Sequence, residues 1–434
     1  MKTKFLVAVI GSCFALPALP ALAESNVSVY GIADAGVMWQ KGGPTKIISG
    51  GADGSRIGFK GSEDIGNGFK AIFNLEARVE LDTGKQQPTL VNENQGYYLT
   101  RGMDQLAPPP LGPALQARLR VALQPPGAPA VNPENALFDR TAMVGLITPV
   151  GALLLGRMYT PGYEVFASAD TFETGTAGSW GHVISGTAGF TAVGADIRSP
   201  KAVQYRIALP SGWGGSLMYG FRNSGYLSRY DRFRAAAVTY KARGFDVGAA
   251  INQGHTLDGR PSLRTRTIGG SYLTGNFKLF AGYLDQKNDN SPLLNDYIAG
   301  WDTQVAPVLP TLGVPAAALP VLRAGFINDI TLNTKQDARS WQVGLHYRIG
   351  AGRLMVSYAH QDDRIDSSDS DADQYAIGYM YNLSKRTDIY TVAAYINNKN
   401  FAQYSPGTAG APGGFTDGPG ENGQAFQIGV RHRF

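Results

Sequence analysis

Six aspartates crowd one short stretch: Asp362, Asp363, Asp366, Asp369, Asp371 and Asp373. The run Asp369-x-Asp371-x-Asp373 begins as a calcium loop begins, with an oxygen donor on every second residue. The remainder of such a loop is missing. Gln374 stands where the sharp turn needs glycine, and Met380 where a bidentate glutamate would close the site. The stretch therefore reads as a solvated acidic loop, with weak divalent-cation bridging as the alternative. Gly418-Pro-Gly420-Glu-Asn-Gly423 matches GxGxxG in spacing, yet no strand and helix frame it, so it is a turn-rich loop rather than a phosphate cradle. GxSxG does not occur, and the five histidines (His182, His255, His346, His360 and His432) are scattered. No catalytic residue, cofactor or metal is assigned, although a hydrolase assembled from Ser or Asp and His across strands stays open.

What could position functional side chains here is a run of strands. In Ser55–Glu80, Arg56, Gly58 and Lys60 alternate with Ile57 and Phe59. After the turn-forming Gly66-Asn67-Gly68, the apolar set from Phe69 to Val79 alternates with Lys70, Ile72, Asn74, Glu76, Arg78 and Glu80. Period-two alternation of this length makes a hairpin with one apolar and one polar face. The plan recurs along the chain. Val203, Tyr205, Ile207 and Leu209 oppose Gln204 and Arg206, and Trp341, Val343, Leu345, Tyr347 and Ile349 oppose Gln342, Gly344, His346 and Arg348. Taken from Val27–Trp39 to Gln424–Phe434, the pattern gives sixteen antiparallel strands.

Alternation alone fits a soluble sandwich as well as a membrane barrel. Connection lengths separate them. Tight turns such as Pro149–Gly151, Thr274–Gly275 and Gly350–Gly352 alternate with long connections, of which 81–137, 160–200 and 287–338 are the longest. Long loops at one rim and short turns at the other describe a transmembrane β-barrel. Two of these loops carry Pro-rich apolar tracts, Leu106–Leu115 and Val305–Leu322. Pro307, Pro310, Pro315 and Pro320 break the second one too often for a membrane-spanning helix.

Met1–Ala23 has the basic start (Lys2, Lys4), apolar core and Ala21-Leu22-Ala23 end of a secretory signal peptide, leaving 24–434 as one barrel domain. The single cysteine, Cys13, lies inside that leader, so no disulfide supports the exported chain and a closed sheet must. Lys and Arg number 39 against 34 Asp and Glu, and two of the lysines belong to the leader. Such near balance argues against a nucleic-acid partner.

Four segments together resemble the general diffusion porins of Gram-negative bacteria, of the β-proteobacterial type: Val27–Val37 (VSVYGIADAGV), Gly54–Glu76 (GSRIGFKGSEDIGNGFKAIFNLE), Leu153–Pro161 (LLLGRMYTP) and Gly429–Phe434 (GVRHRF). The resemblance implies a sixteen-stranded barrel in the outer membrane, a homotrimer, and passive passage of small hydrophilic solutes and ions. It also implies that the third long loop folds inward, bringing Glu164, Asp170 and Glu173 opposite an arginine wall. The positions matching that wall are Arg56, Arg140 and Arg198, with Arg157 and Arg206 as weaker candidates. Phe434 matches the terminal aromatic that serves as the assembly signal. Opposed charges across a narrow wet constriction set up a transverse field, and permanently charged guanidiniums in surplus favour anions. Outer-membrane lipid and lipopolysaccharide are the expected surroundings. The alternative from another class is a barrel enzyme or adhesin on the same scaffold.

Overall fold

The alternation read from sequence becomes a wall whose apolar side chains point outward. In the computed structural model, which describes residues 26–86, 96–123, 132, 136–185, 197–224, 229–409 and 413–434, the sheet holds seventeen strands. They are β1 (Asn26–Gln40), β2 (Lys46–Ser49), β3 (Arg56–Gly66), β4 (Phe69–Arg78), β5 (Thr141–Thr148) and β6 (Gly151–Tyr159). Next come β7 (Arg198–Ala208), β8 (Trp213–Gly220), β9 (Arg232–Ala242), β10 (Phe245–His255), β11 (Pro261–Thr274) and β12 (Phe277–Asn288). The last are β13 (Gln336–Ile349), β14 (Gly352–Asp363), β15 (Ala372–Asn382), β16 (Thr387–Asn398) and β17 (Gly423–Arg433). Sixteen of them form a closed antiparallel barrel. The extra one is β2, a short strand of the first loop that pairs with the upper half of β1 while β3 pairs with its lower half.

Closure is made by β1 against β17, from Ile32↔Arg433 to Gln40↔Ala425. Phe434 continues the seam: its N–H donates to Gly31 O and its carbonyl accepts from Gly31 N, both at 3.1 Å. Its ring lies where a Gly31 side chain would be, since a Cβ there would sit 2.4 Å from Phe434 Cζ. Gly31 is therefore a seat for the terminal aromatic.

Outward residues are apolar and bare. Leu217 is 63% exposed, Ile268 58%, Ile377 52% and Ile428 54%. A belt of this extent is unstable in water and matches a lipid-facing surface. The rim with short turns carries aromatic pairs, Trp213–Tyr240, Phe245–Tyr272 and Phe277–Tyr347, with ring centroids 4.3–5.2 Å apart. That is the interfacial girdle of a membrane barrel. Among the described residues, no helix is long and apolar enough to cross a membrane.

Several expected boundaries shift. Phe138–Arg140 precede β5 rather than belonging to it, and Arg198 opens β7 rather than ending the loop before it. The Pro-rich tracts are helical pieces, not irregular loop. With their flanks they give α1 (Leu111–Ala122), α4 (Leu294–Gly300) just before the second tract, short turns through Leu312, and α5 (Leu319–Asn333). Proline shapes these pieces: Pro310 lies within the short turn Ala306–Leu312, Gly313 and Pro315 separate that turn from the next, and Pro320 occupies the first turn of α5, where its missing N–H costs nothing. The expected signal peptide, Met1–Ala23, lies outside the described residues.

Candidate pore constriction

The third long loop begins at Thr160, whose hydroxyl caps α2 (Pro161–Ala169) by accepting from Tyr163 N at 3.3 Å. From there the loop runs inside the barrel along the inner faces of β9–β17. Asn252 of β10 holds its start, donating to Thr160 Oγ1 at 3.2 Å and accepting from Gly162 N at 3.1 Å. Further along, Gln342 accepts from the Thr171 hydroxyl and donates to Ala169 O, and His346 donates to Thr171 O at 2.6 Å. Trp180 Nε1 donates to Ser340 Oγ at 2.7 Å, before α3 (Gly181–Ser185). Ala177 N donates to Gln427, and Thr176 N reaches Gly51 O at 2.6 Å. Gly282 leaves the notch for the indole, because a Cβ there would approach Trp180 Cζ3 to 2.6 Å. Phe172 packs with Met38, Met355, Met380 and Val392, and Phe166 and Trp180 pack with Leu284, Ala359 and Ile396. Inner-wall positions that would otherwise be wet are apolar along this track for that reason.

With the loop fastened to β9–β17, the opposite wall is β3–β7. Arg56, Arg140 and Arg198 come together on it. Arg140 Nε donates to Glu76 Oε1 at 2.6 Å, and Arg56 Nη1 lies 3.8 Å from Glu76 Oε2. Tyr159 accepts from Arg198 Nη2 at 2.7 Å and from Arg140 Nη2 at 3.3 Å, with the Arg198 guanidinium 4.3 Å from its ring centroid. Arg56 also forms an ion pair with Asp53 and donates from Nε to Gly54 O. Tyr30 donates to Asn74 and Glu76. Arginines at this spacing repel one another, and Glu76 with the Tyr159 oxygen is what permits the cluster.

The weaker candidates have other partners. The β6–β7 ladder slips between Gly156 and Met158, opposite Lys201 with its φ of +50°. Arg157 there donates to Asp139 O at 2.6 Å. Arg206 pairs with Glu164 of the inward loop at 2.5 Å, clamping loop to wall. Around that pair lies a cavity of about 1040 Å³ lined by Tyr163, Ser168, Arg206, Lys241 and Asp246.

The three loop carboxylates thus do different things. Only Glu164 meets an arginine of the expected set. Asp170 is fully buried, departing from the expectation that it faces the arginines. It accepts from Ser179 Oγ, Trp180 N, Phe172 N and Thr174 N, so it organises the loop's own turn. Burial pushes its carboxyl upward against those hydrogen bonds. Glu173, at φ +57°, reaches the other way and takes a bidentate pair from Arg353 of β14 at 2.6 and 2.7 Å. Burial works to raise its carboxyl, but the Arg353 guanidinium outweighs that and holds it at about 2.

Sequence reasoning did not single out Tyr159, Tyr163, Glu76, Asp53 or Arg353. Tyr159 and Tyr163 stack at 5.1 Å with an 11° interplanar angle and join the arginine wall to the loop. The available signal was weak: Tyr159 lies inside LLLGRMYTP, and Glu76 is one acid among alternating polar residues. In the acidic stretch, Asp363 accepts from Ser368 Oγ, Ile365 N and Ser370 N, and Asp373 from Tyr358 and His360. Among the described residues no group of three or more His, Cys, Asp or Glu is arranged to hold a metal.

Relatives agree with this architecture. The family model for Gram-negative porins matches residues 6–400. The chain is similar to outer membrane porin protein 32 of Delftia acidovorans, at 24% identity over 95% of each chain. An outer membrane porin protein of Bordetella pertussis matches at 25% over the full length of both. Among solved structures, the anion-selective porin from Comamonas acidovorans superposes with a TM-score of 0.66 at 22% identity, over 95% of this chain and all of that one. An outer membrane protein of Vibrio cholerae in its trimer form gives 0.56 at 13%, over 94% and 99%. The closed barrel, its lipid-facing belt, the inward loop and the family match agree: the chain belongs to the Gram-negative porins and is a multi-pass β-barrel of the outer membrane.

Proposed function

We propose that the pore passes small hydrophilic solutes and ions as a homotrimer, admits anions modestly ahead of cations, and has no catalytic role. The observation that carries the selectivity is the gathering of Arg56, Arg140 and Arg198 around Tyr159, across from the inward loop. Their charge is largely balanced. Arg56, Arg78, Arg140, Arg157, Arg198 and Arg206 stand on that wall beside Asp53, Glu76, Glu80 and Asp139, with Glu164 facing them from the loop. So extensively paired a wall fits a mild preference and not an exclusive one. The similarity to the Comamonas protein, an anion-selective porin, points the same way.

Trimer formation is supported by the bare outward face of β1, with Val27, Val29, Val37 and Trp39 exposed, and by the trimer form of the Vibrio neighbour. Met1–Ala23 would be the leader removed on export. On the long-loop rim, the outward residues Arg264 and Arg339 flank Asp285, a mixed band suited to phosphate groups of lipid or lipopolysaccharide. His182 and His346 each donate to a loop carbonyl, which gives them a structural use in place of catalysis. Cross-linking in mild detergent tests the assembly, and trimers resistant to SDS until heated are expected. Monomers alone would refute it. Swelling of proteoliposomes in small sugars tests passage, and vesicles that stay impermeable would refute the channel.

A further inference from the structure

The two long insertions, which the pore chemistry does not use, fold onto one another. The first leaves the wall between β4 and β5, the second between β12 and β13. In the barrel order these points are eight strands apart in a ring of sixteen, so they stand on opposite sides of the mouth. They nevertheless share one apolar core, in which Leu115 and Leu119 of α1 are buried with Trp301, Phe326 and Ile330. Trp301 and Phe326 stack at 4.8 Å.

The first insertion also reaches the far wall. Tyr98 donates its hydroxyl to Lys335 O at 3.0 Å, and Asn333 Nδ2 donates to Leu99 O and Arg101 O at 3.1 and 2.9 Å. Lys335 immediately precedes β13, so residues 98–101 have crossed the mouth. A third loop joins them where Tyr97 N donates to Gln403 Oε1 at 2.6 Å.

A sixteen-stranded barrel with strands ~4.8 Å apart and tilted ~40° is ~30 Å across. Helices α1 and α5, of 12 and 15 residues, run ~18 and ~22 Å at ~1.5 Å per residue. They are long enough to span much of the opening. A shared core also makes them a fixed body rather than independently moving loops.

We propose that these insertions form a roof across the mouth that sets the size of solute admitted, separately from the charged constriction below. The proposal rests on the channel reading. On this proposal solutes enter past the edges of the roof at a cost that grows with their length and bulk, while ions meet their charge filter deeper in the lumen.

The test compares wild type with two variants. One is Leu119→Asp/Phe326→Asp, which puts charges into the roof core. The other replaces residues 97–123 and 293–331 by short Gly/Ser segments and leaves every barrel strand intact, so it decides the matter if the charged variant does not fold. Proteoliposome swelling is measured with neutral sugars from mono- to tetrasaccharide, and the zero-current potential in a KCl gradient on the same preparations. The ratio of tetrasaccharide to monosaccharide entry should rise several-fold in the variants, with the potential unmoved. An unchanged ratio would show that the constriction alone sets size and overturn the proposal. A shift in potential matching the change in sieving would overturn the separation of the two filters. Wild-type protein that admits neither sugar nor ion would instead defeat the channel reading on which the roof depends.

Discussion

Replacing Glu76 with glutamine should make the pore more anion-selective. Glu76 neutralises the centre of the arginine wall, with Arg140 Nε at 2.6 Å and Arg56 Nη1 at 3.8 Å. Glutamine keeps the shape and an acceptor for Tyr30, and removes one negative charge. For an ion passing at ~6 Å, one unit charge is worth ~0.7 kcal/mol at water's dielectric and ~2.8 kcal/mol at an effective value of ~20. A screening length of ~8 Å roughly halves both. The lower figure, ~0.3 kcal/mol, acts with opposite sign on anion and cation and changes their permeability ratio about three-fold. That is a floor, because the wall is partly dry. The assay is the zero-current potential across a KCl gradient at low ionic strength, with heat-modifiable migration on SDS gels as the check that the barrel is folded. An unmoved potential, or one shifted toward cations, would mean that permeant ions do not pass the Glu76–Arg140 pair and would refute the placement of the constriction.

Other outcomes follow from the same contacts. Arg56→Ala and Arg198→Ala should each move the anion/cation permeability ratio toward cations by a few-fold, whereas loss of Arg229, which pairs with Asp296 of the second insertion, should leave it unchanged. Asp170→Asn cannot serve all four donors now converging on the carboxylate, and about 1–3 kcal/mol per orphaned group should loosen the loop, visible as added open-channel noise. Acidification gives a signed test. Glu173 has a depressed carboxyl, so its stabilisation is full above the ordinary carboxylate range and is lost as pH falls from that range through about 2. Asp170 is shifted upward, so taking up a proton relieves its burial as pH drops. Proteolysis of the inward loop should therefore be no faster at pH ~5 than at pH 7, and a sharp rise between those values would contradict the ion-pair assignment. Phe434→Asp should lower the amount of protein reaching the outer membrane, because its ring occupies the Gly31 seat at the closing seam. Quantitative blotting of membrane fractions showing normal levels would count against that role.

The barrel was readable because lipid on one side and water on the other impose strict alternation, and Val203, Tyr205, Ile207 and Leu209 all lie on the outward face. Arg56, Arg140 and Arg198 could be matched by motif, and they meet. Their carboxylate partners could not be chosen, since which acid faces which arginine depends on strand register and on the path of the inward loop. Asp170 shows the difficulty: an acid in a loop reads the same whether it faces water or collects its own loop's N–H groups. Arg157 shows another, because one slip in the β6–β7 ladder undoes the parity on which facing arguments rest. The roof was hidden for a third reason. Its helices are short and interrupted by proline, and their apolar faces have a partner only across the mouth, some two hundred residues away in sequence.

The central claim is a water-filled channel whose arginine wall favours anions. Recording purified wild-type protein in a planar bilayer, under a dilute KCl gradient, tests it most directly. Discrete steps of current with a zero-current potential on the chloride side are the predicted result. A potential on the potassium side, or the absence of any steps, would contradict it.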